Sequence, residues 1–213
     1  MNCVSAQEER IKALEPFTEI KVFDGISVNL IPSDTNKVII RGKDSEKVVI
    51  NQSREMLKIR MNMDYFFKES ENVVEVFHSK PLDLIDANDN AYISSSHIIE
   101  QVDLEVRSQE GSEIDLKIDV DRLEVRSVSG GKVLLKGKAT TQDISINTGG
   151  EYKGREVVSD QIVISVSAGG VAHVQAEDFI DAKIKAGGTV HIYGEPKVVE
   201  EQRFLGGNVI MHQ

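Results

Sequence analysis

The chain has 213 residues and a formal net charge of −10, with 40% hydrophobic residues, 5% aromatics, no Trp and one Cys. An acidic excess of this size argues against nucleic acid as a partner, because phosphate-backbone binding needs clustered Lys and Arg. A single cysteine leaves no internal disulfide framework and no thiolate metal cluster, and no apolar run reaches the ~18 residues of a spanning helix.

Residues 1–16 form an N-terminal segment. Val4-Ser5-Ala6-Gln7 has the small residues of a secretory cleavage site, but no basic or long apolar region precedes it. The segment reads either as the remnant of an export signal from a longer precursor, with Cys3 a candidate for lipidation, or as an ordinary N-terminus. Arg10 to Pro16 reads as one short helical turn. Residues 17–80 then carry short alternating runs, "FTEIKVFDGISVNLIP", "NKVIIRG", "KVVINQS", "EMLKIRM" and "NVVEVFHS". Period-2 alternation broken by turn residues predicts strands, here an antiparallel cap over the second half of the chain. Tyr65, Phe66 and Phe67, flanked by Met61 and Met63, either pack into that cap or expose an aromatic platform for sugar or protein contact.

Asp86-Ala87-Asn88-Asp89-Asn90 has the composition of a calcium loop without its full spacing or terminal Glu; Asx turns at a corner account for the same residues. Asp86 and Asp89 are kept as binding candidates. From here a repeat begins. Small residues recur at Ala91, Ser112, Gly131, Gly150, Gly170, Gly188 and Gly207, at steps of 18 to 21 residues. Each is followed two and four positions later by mostly apolar residues (Ile114 and Leu116, Val133 and Leu135, Val190 and Ile192), and helical periodicity is weak. Leucine-rich repeats are excluded by the missing Leu and Asn pattern and the missing helical return. The remaining solution is an all-β parallel β-helix of about seven coils over residues 81–213, on the order of 30 Å long at the ordinary inter-strand spacing. Asn90 and Gly131, Gly150, Gly170, Gly188 and Gly207 are the expected corners, where positive φ carries little penalty for Gly and Asn. In Ser165 to Val174 this places Val166, Ala168, Ala172 and Val174 inside and His173 outside. Ser127 and Ser129 are expected inside as hydroxyls bonding along the axis.

The segment order "FTEIKVFDGISVNLIP", "VEVFHSKPLDLIDANDNAYIS" and repeated Gly-Gly coils ending "GGTVHIYGEPKV" resembles the bacterial head GIN domain, the putative auto-transporter adhesin family. Tyr193-Gly194-Glu195-Pro196 is its most characteristic piece, and the resemblance covers about residues 17–213. It implies a right-handed parallel β-helix of the Bacteroidetes cell envelope, exported to the periplasm, outer membrane or cell surface. No catalytic motif is among its parts. The chain departs from the family at Asp86–Asn90, where members often carry Ser and Gly.

His173 and His191 fall on the outward face of adjacent coils, about 5 Å apart, with Lys153 before them in the same ladder and His212 on the same side. Two imidazoles make an incomplete metal site, so no metal or cofactor is expected. The acidic run from Glu100 to Asp121 reads as an outward face; glycosidase chemistry would need two carboxylates across one cleft. The sequence therefore predicts no catalytic residue. It predicts a single β-helix domain over residues 17–213, a passive adhesin-like surface for an unknown protein or glycan partner. The alternatives are a polysaccharide-active enzyme and a structural lipoprotein. The last coil has no evident cap, so its edge or face is expected to pair with another copy.

Overall fold

Val and Ile lose little rotamer freedom in a strand and stack well on like neighbours, which is what a coil-over-coil core requires. The computed structural model describes residues 9–62 and 73–212. Cys3, Val4 to Gln7, Met63 and the Tyr65–Phe67 cluster lie outside these. Five long strands, β9 (Tyr92–Gln109), β10 (Glu113–Val128), β11 (Lys132–Ile146), β12 (Glu151–Ser167) and β13 (Val171–Lys185), run parallel, each paired with the next. The result is a parallel β-solenoid of about seven turns, as the repeat predicts.

Two columns of side chains fill its centre. Val106, Val125, Ile144, Ile164 and Ala182 stand in register on successive coils, and so do Ile93, Ile114, Val133, Tyr152, Ala172 and Val190; all are fully buried. Full burial of one such aliphatic side chain is worth roughly 1.5–3 kcal/mol, so the stacked core and not any single coil holds the fold. Bends are written as slips of phase. Asp121 and Arg122, or Asp160 and Gln161, are consecutive outward residues that break the alternation where the strand turns to a new face.

Between coils the chain reverses in a tight turn whose two glycines have separate tasks. At Asn147 to Gly150, Thr148 and Gly149 take φ of 48° and 69°, and Gly150 N–H donates to Asn147 O at 3.0 Å. Two positive φ values in succession are what a type I′ turn demands. Gly150 has no positive φ; a Cβ there would lie 2.3 Å from Ser127 O of the previous coil. The same division holds for Gly131 and Gly170. The expected reason for these corner glycines is thus corrected: the first of each pair serves the backbone angle and the second the close approach. Gly188 and Gly207 combine both, with φ of 128° and 106°, and Asn90 is a positive-φ residue at 59°.

Two inward assignments fail for the same reason. Ala168 (φ 47°) and Ser129 (φ 50°) are first turn residues and stand exposed. Ser127 is buried as expected, with Ser108 and Ser112 as its companions. Their hydroxyls link coils: Glu151 N–H donates to Ser127 Oγ and Lys132 N–H to Ser108 Oγ, at 3.2 and 3.0 Å.

One coil carries a polar core. Tyr152 Oη donates to Gln142 Oε1 at 2.7 Å, and Gln142 Nε2 donates to Ser159 Oγ at 2.6 Å, all three residues buried. Gly154 leaves the room: a Cβ there would lie 2.3 Å from Tyr152 Cζ.

The N-terminal half continues the solenoid as well as capping it. β2 (Glu19–Val22) lies parallel between β6 (Met56–Met61) and β8 (Leu84–Ala87), and β3 (Ser27–Pro32) parallel between β7 (Val73–His78) and β9. The antiparallel part is the outer layer, β5 (Val48–Ser53) on β6 and β4 (Lys37–Arg41) on β7. The helical turn expected at Arg10 to Pro16 is a strand, β1 (Glu9–Ala13), antiparallel to β4. Its lysine and arginine decide this. In the extended chain Arg10 and Lys12 point the same way, and they donate to Val48 O and Ile50 O on β5 at 2.8 and 2.7 Å. Arg41 bridges Glu9 and Glu75, tying β1, β4 and β7.

The other end is uncovered among the described residues. β14 (Thr189–Tyr193) and β15 (Val198–Phe204) lie on the two halves of β13, and β16 (Asn208–Met211) lies on β14. Val199, Phe204, Leu205, Ile210 and Met211 are 38–73% exposed there.

Candidate functional site

The outward ladder predicted from spacing is present, and it is larger than predicted. Lys153, His173 and His191 occupy one register column on β12, β13 and β14. The His173 and His191 rings stack with centroids 4.4 Å apart and planes 7° from parallel. His212 follows β16 and brings Nε2 to 2.8 Å from His191 Nδ1, so that contact holds one proton between two nitrogens.

Tyr193 and Arg155 complete the wall, and sequence reasoning missed both. Tyr193 stacks on His212 at 4.4 Å and 10°, its hydroxyl 3.2 Å from His173 Nδ1. The Arg155 guanidinium sits over the Tyr193 ring at 4.4 Å. A cation above an aromatic face is worth about 0.5–1 kcal/mol at an exposed site. The available signal for Tyr193 was period 2: His191, Tyr193 and His173 share the outward parity of adjacent coils. Arg155 gave none, because it enters from a bend.

The His212 ring and the Arg155 guanidinium both lie against Tyr193, so the wall offers polar edges more than an open aromatic surface. Burial holds His173 below the ordinary histidine range, helped by the nearby His191, His212 and Lys153 charges and opposed by Glu151. Burial also lowers His191, and the His212 charge adds to it. Among the described residues no group of three His, Cys, Asp or Glu side chains is placed to hold a metal ion.

Asp86 and Asp89 do not join this wall. Asp86 is buried at the opposite end of the stack, accepting from Asn88 Nδ2 at 3.0 Å and Gln109 Nε2 at 3.3 Å, with Lys21 Nζ 3.4 Å away. Its oxygens are committed to structure. Asp89 is a half-buried turn residue with φ of 51°, beside Glu110 and Asp24. Burial raises Asp24 above the ordinary carboxylate range, and the Asp89 charge adds to this. Hydrogen bonding to Asp89 raises Glu110.

A separate groove of about 420 Å³ runs along the outside of β9, β10 and β11, between Asp83 and Val163. Glu105, Glu124 and Asp143 line it in one register column, and Arg122 pairs with Asp103 at its rim. Burial raises Glu124, and the carboxylates on either side raise it further. No helix of the described residues is long and apolar enough to cross a membrane.

Comparison with known proteins agrees with this architecture. The chain is similar to a putative adhesin from Bacteroides fragilis, with 15% identity, a TM-score of 0.85 and 98% of each chain covered. It is similar to a putative adhesin from Parabacteroides distasonis at 20% identity and TM-score 0.70, again over 98% of each chain. A putative lipid binding protein from the same species matches at 14% identity and TM-score 0.74, over 99% of this chain and 98% of that one. At such identities the likeness is one of fold. No curated protein matches the chain significantly. The family described as "Putative auto-transporter adhesin, head GIN domain" matches residues 16–196, most of the chain, and the protein therefore belongs to the head GIN domain family.

Proposed function

We propose that the protein is an exported, non-enzymatic adhesin-like module of the cell envelope or surface, binding a protein or glycan partner through the wall of Lys153, Arg155, His173, His191, Tyr193 and His212. The observation that carries this reading is the mutual bracing of the wall. Each ring is held by a neighbour at 4.4–6.1 Å, so hydrogen-bonding edges are presented in fixed positions at little further entropic cost. Two permanent cations and three imidazoles, in a chain of net charge −10, favour a partner bearing carboxylate or sulfate groups.

The test is an array of neutral and acidic glycans and acidic peptides, read together with a reducing-end assay. Binding to acidic ligands without new reducing ends is expected, weakened roughly tenfold in the Arg155→Ala variant. Binding that ignores Arg155 and His191 would move the site elsewhere.

A second reading rests on the groove. A carboxyl with a raised pKa between two other carboxylates has the electrostatics of a glycosidase acid, and it would make the protein polysaccharide-active. Release of reducing ends by the wild type, lost in Glu124→Gln, would establish that reading in place of the first.

A further inference from the structure

In the last described coil Val199 and Met211 stand exposed in columns that the coil before fills with the buried Ile180 and Ile192. β15 pairs with β13 alone, and among the described residues no other segment hydrogen-bonds to its free edge. An unpaired edge of seven residues beside exposed apolar side chains is a template for another strand.

The sequence of that edge specifies which strand. On β13 the inward residues are Ile180, Ala182 and Ile184; their register partners on β15 are Val199, Glu201 and Arg203. Two inward positions that are apolar one coil earlier are thus charged, with opposite signs, on either side of Gln202. Within one chain Arg203 Nη2 already reaches both oxygens of Glu201 at 2.9–3.0 Å.

We infer that the protein forms an end-to-end dimer in which β15 pairs antiparallel with β15 of a second copy about a two-fold axis through Gln202. Antiparallel pairing keeps directly opposed side chains on the same face, so a continuous core requires opposed residues of equal parity. Centring on Glu201 opposes Glu201 to its own copy, and centring on Arg203 opposes Arg203 to its own copy. Centring on Gln202 places each Glu201 opposite the partner's Arg203, and the partner's Glu201 opposite Arg203. An isologous interface must be self-complementary in this way, with residue i meeting j and j meeting i. Pairing consumes the β15 edge of both copies, so a third copy cannot add at that strand.

The charges could instead guard the edge, as inward-pointing charges do on many edge strands, and leave the chain monomeric. Multi-angle light scattering on the full chain separates the two. A dimer mass is expected for the wild type, with dissociation about tenfold or more easier in Glu201→Arg and in Arg203→Glu, where like charges oppose. Mixing these two variants in equal amounts restores complementarity and is expected to give a heterodimer. That outcome also excludes misfolding as the cause of their dissociation. A monomeric wild type, single variants that dimerise as the wild type does, or a mixture that stays monomeric each overturns the proposal.

Discussion

At the N-terminal end, Arg10 and Lys12 lie across the outer strand β5 and donate to its carbonyls, while Arg41 ties three strands of the antiparallel layer together. At the C-terminal end, among the described residues, β15 pairs with β13 alone and β16 with β14 alone, and Val199 and Met211 stand open. The sheet is one continuous object, yet its ends meet the unpaired-edge problem differently. The covered end costs the chain a long stretch of non-repeating sequence, and the open end leaves the edge available. Stability should therefore be graded along the axis, high where both sides of a coil are covered and low at the last one.

The largest expected effect tests that gradient directly. Ile59, fully buried on β6, should cost about 3–4 kcal/mol on truncation to Ala. Val209, at a corresponding inward position on β16 but only half-buried, should cost less than about 1 kcal/mol. Urea midpoints measure both, and equal losses would abolish the distinction between the ends. Next in size, Gly150→Ala forces a Cβ against the backbone of the preceding coil and should cost about 2–3 kcal/mol. Gly206→Ala, in open space with φ of 86°, meets only backbone strain of roughly 1 kcal/mol.

The smallest effect gives the two ends opposite signs with pH. His173 and His191 have lowered values in the folded chain, so the unfolded chain takes up protons first as pH falls through about 6.5. Their contribution is intact above that value and is lost progressively below it. Asp24 and Glu110, at the other end, have raised values. They stabilise the fold as pH falls through their folded values towards the ordinary carboxylate range. A small drop in melting temperature between pH 7.5 and 5.5 is expected, and it should shrink in His191→Gln. An unchanged drop would place its origin outside the wall.

The same asymmetry governed what could be read in advance. The second half repeats, so the spacing of small residues located the coils and brought His173 against His191. Turn geometry was less legible: Ala168 and Ser129 share the parity of inward residues, and only a left-handed turn turns them out. In the first half β2 and β3 are four and six residues long and are flanked by strands from later in the chain, an order no periodicity records. Arg155 reaches Tyr193 across a bend, where linear spacing carries no distance. Arg10 and Lys12 looked helical because their partners on β5 lie 38 residues away.

Repetition has a hazard of its own. Coils of near-equal length with interchangeable Val and Ile fillings could stack one step out of place and bury almost as much apolar surface. Tyr152 breaks that degeneracy. Its ring fits only where Gly154 leaves space, and its hydroxyl is satisfied only by Gln142. A coil slipped by one position would strand a buried hydroxyl and a buried amide, at about 1–3 kcal/mol each. The one aromatic in the column thus acts as an index mark, telling a self-similar chain which of its turns belongs next to which.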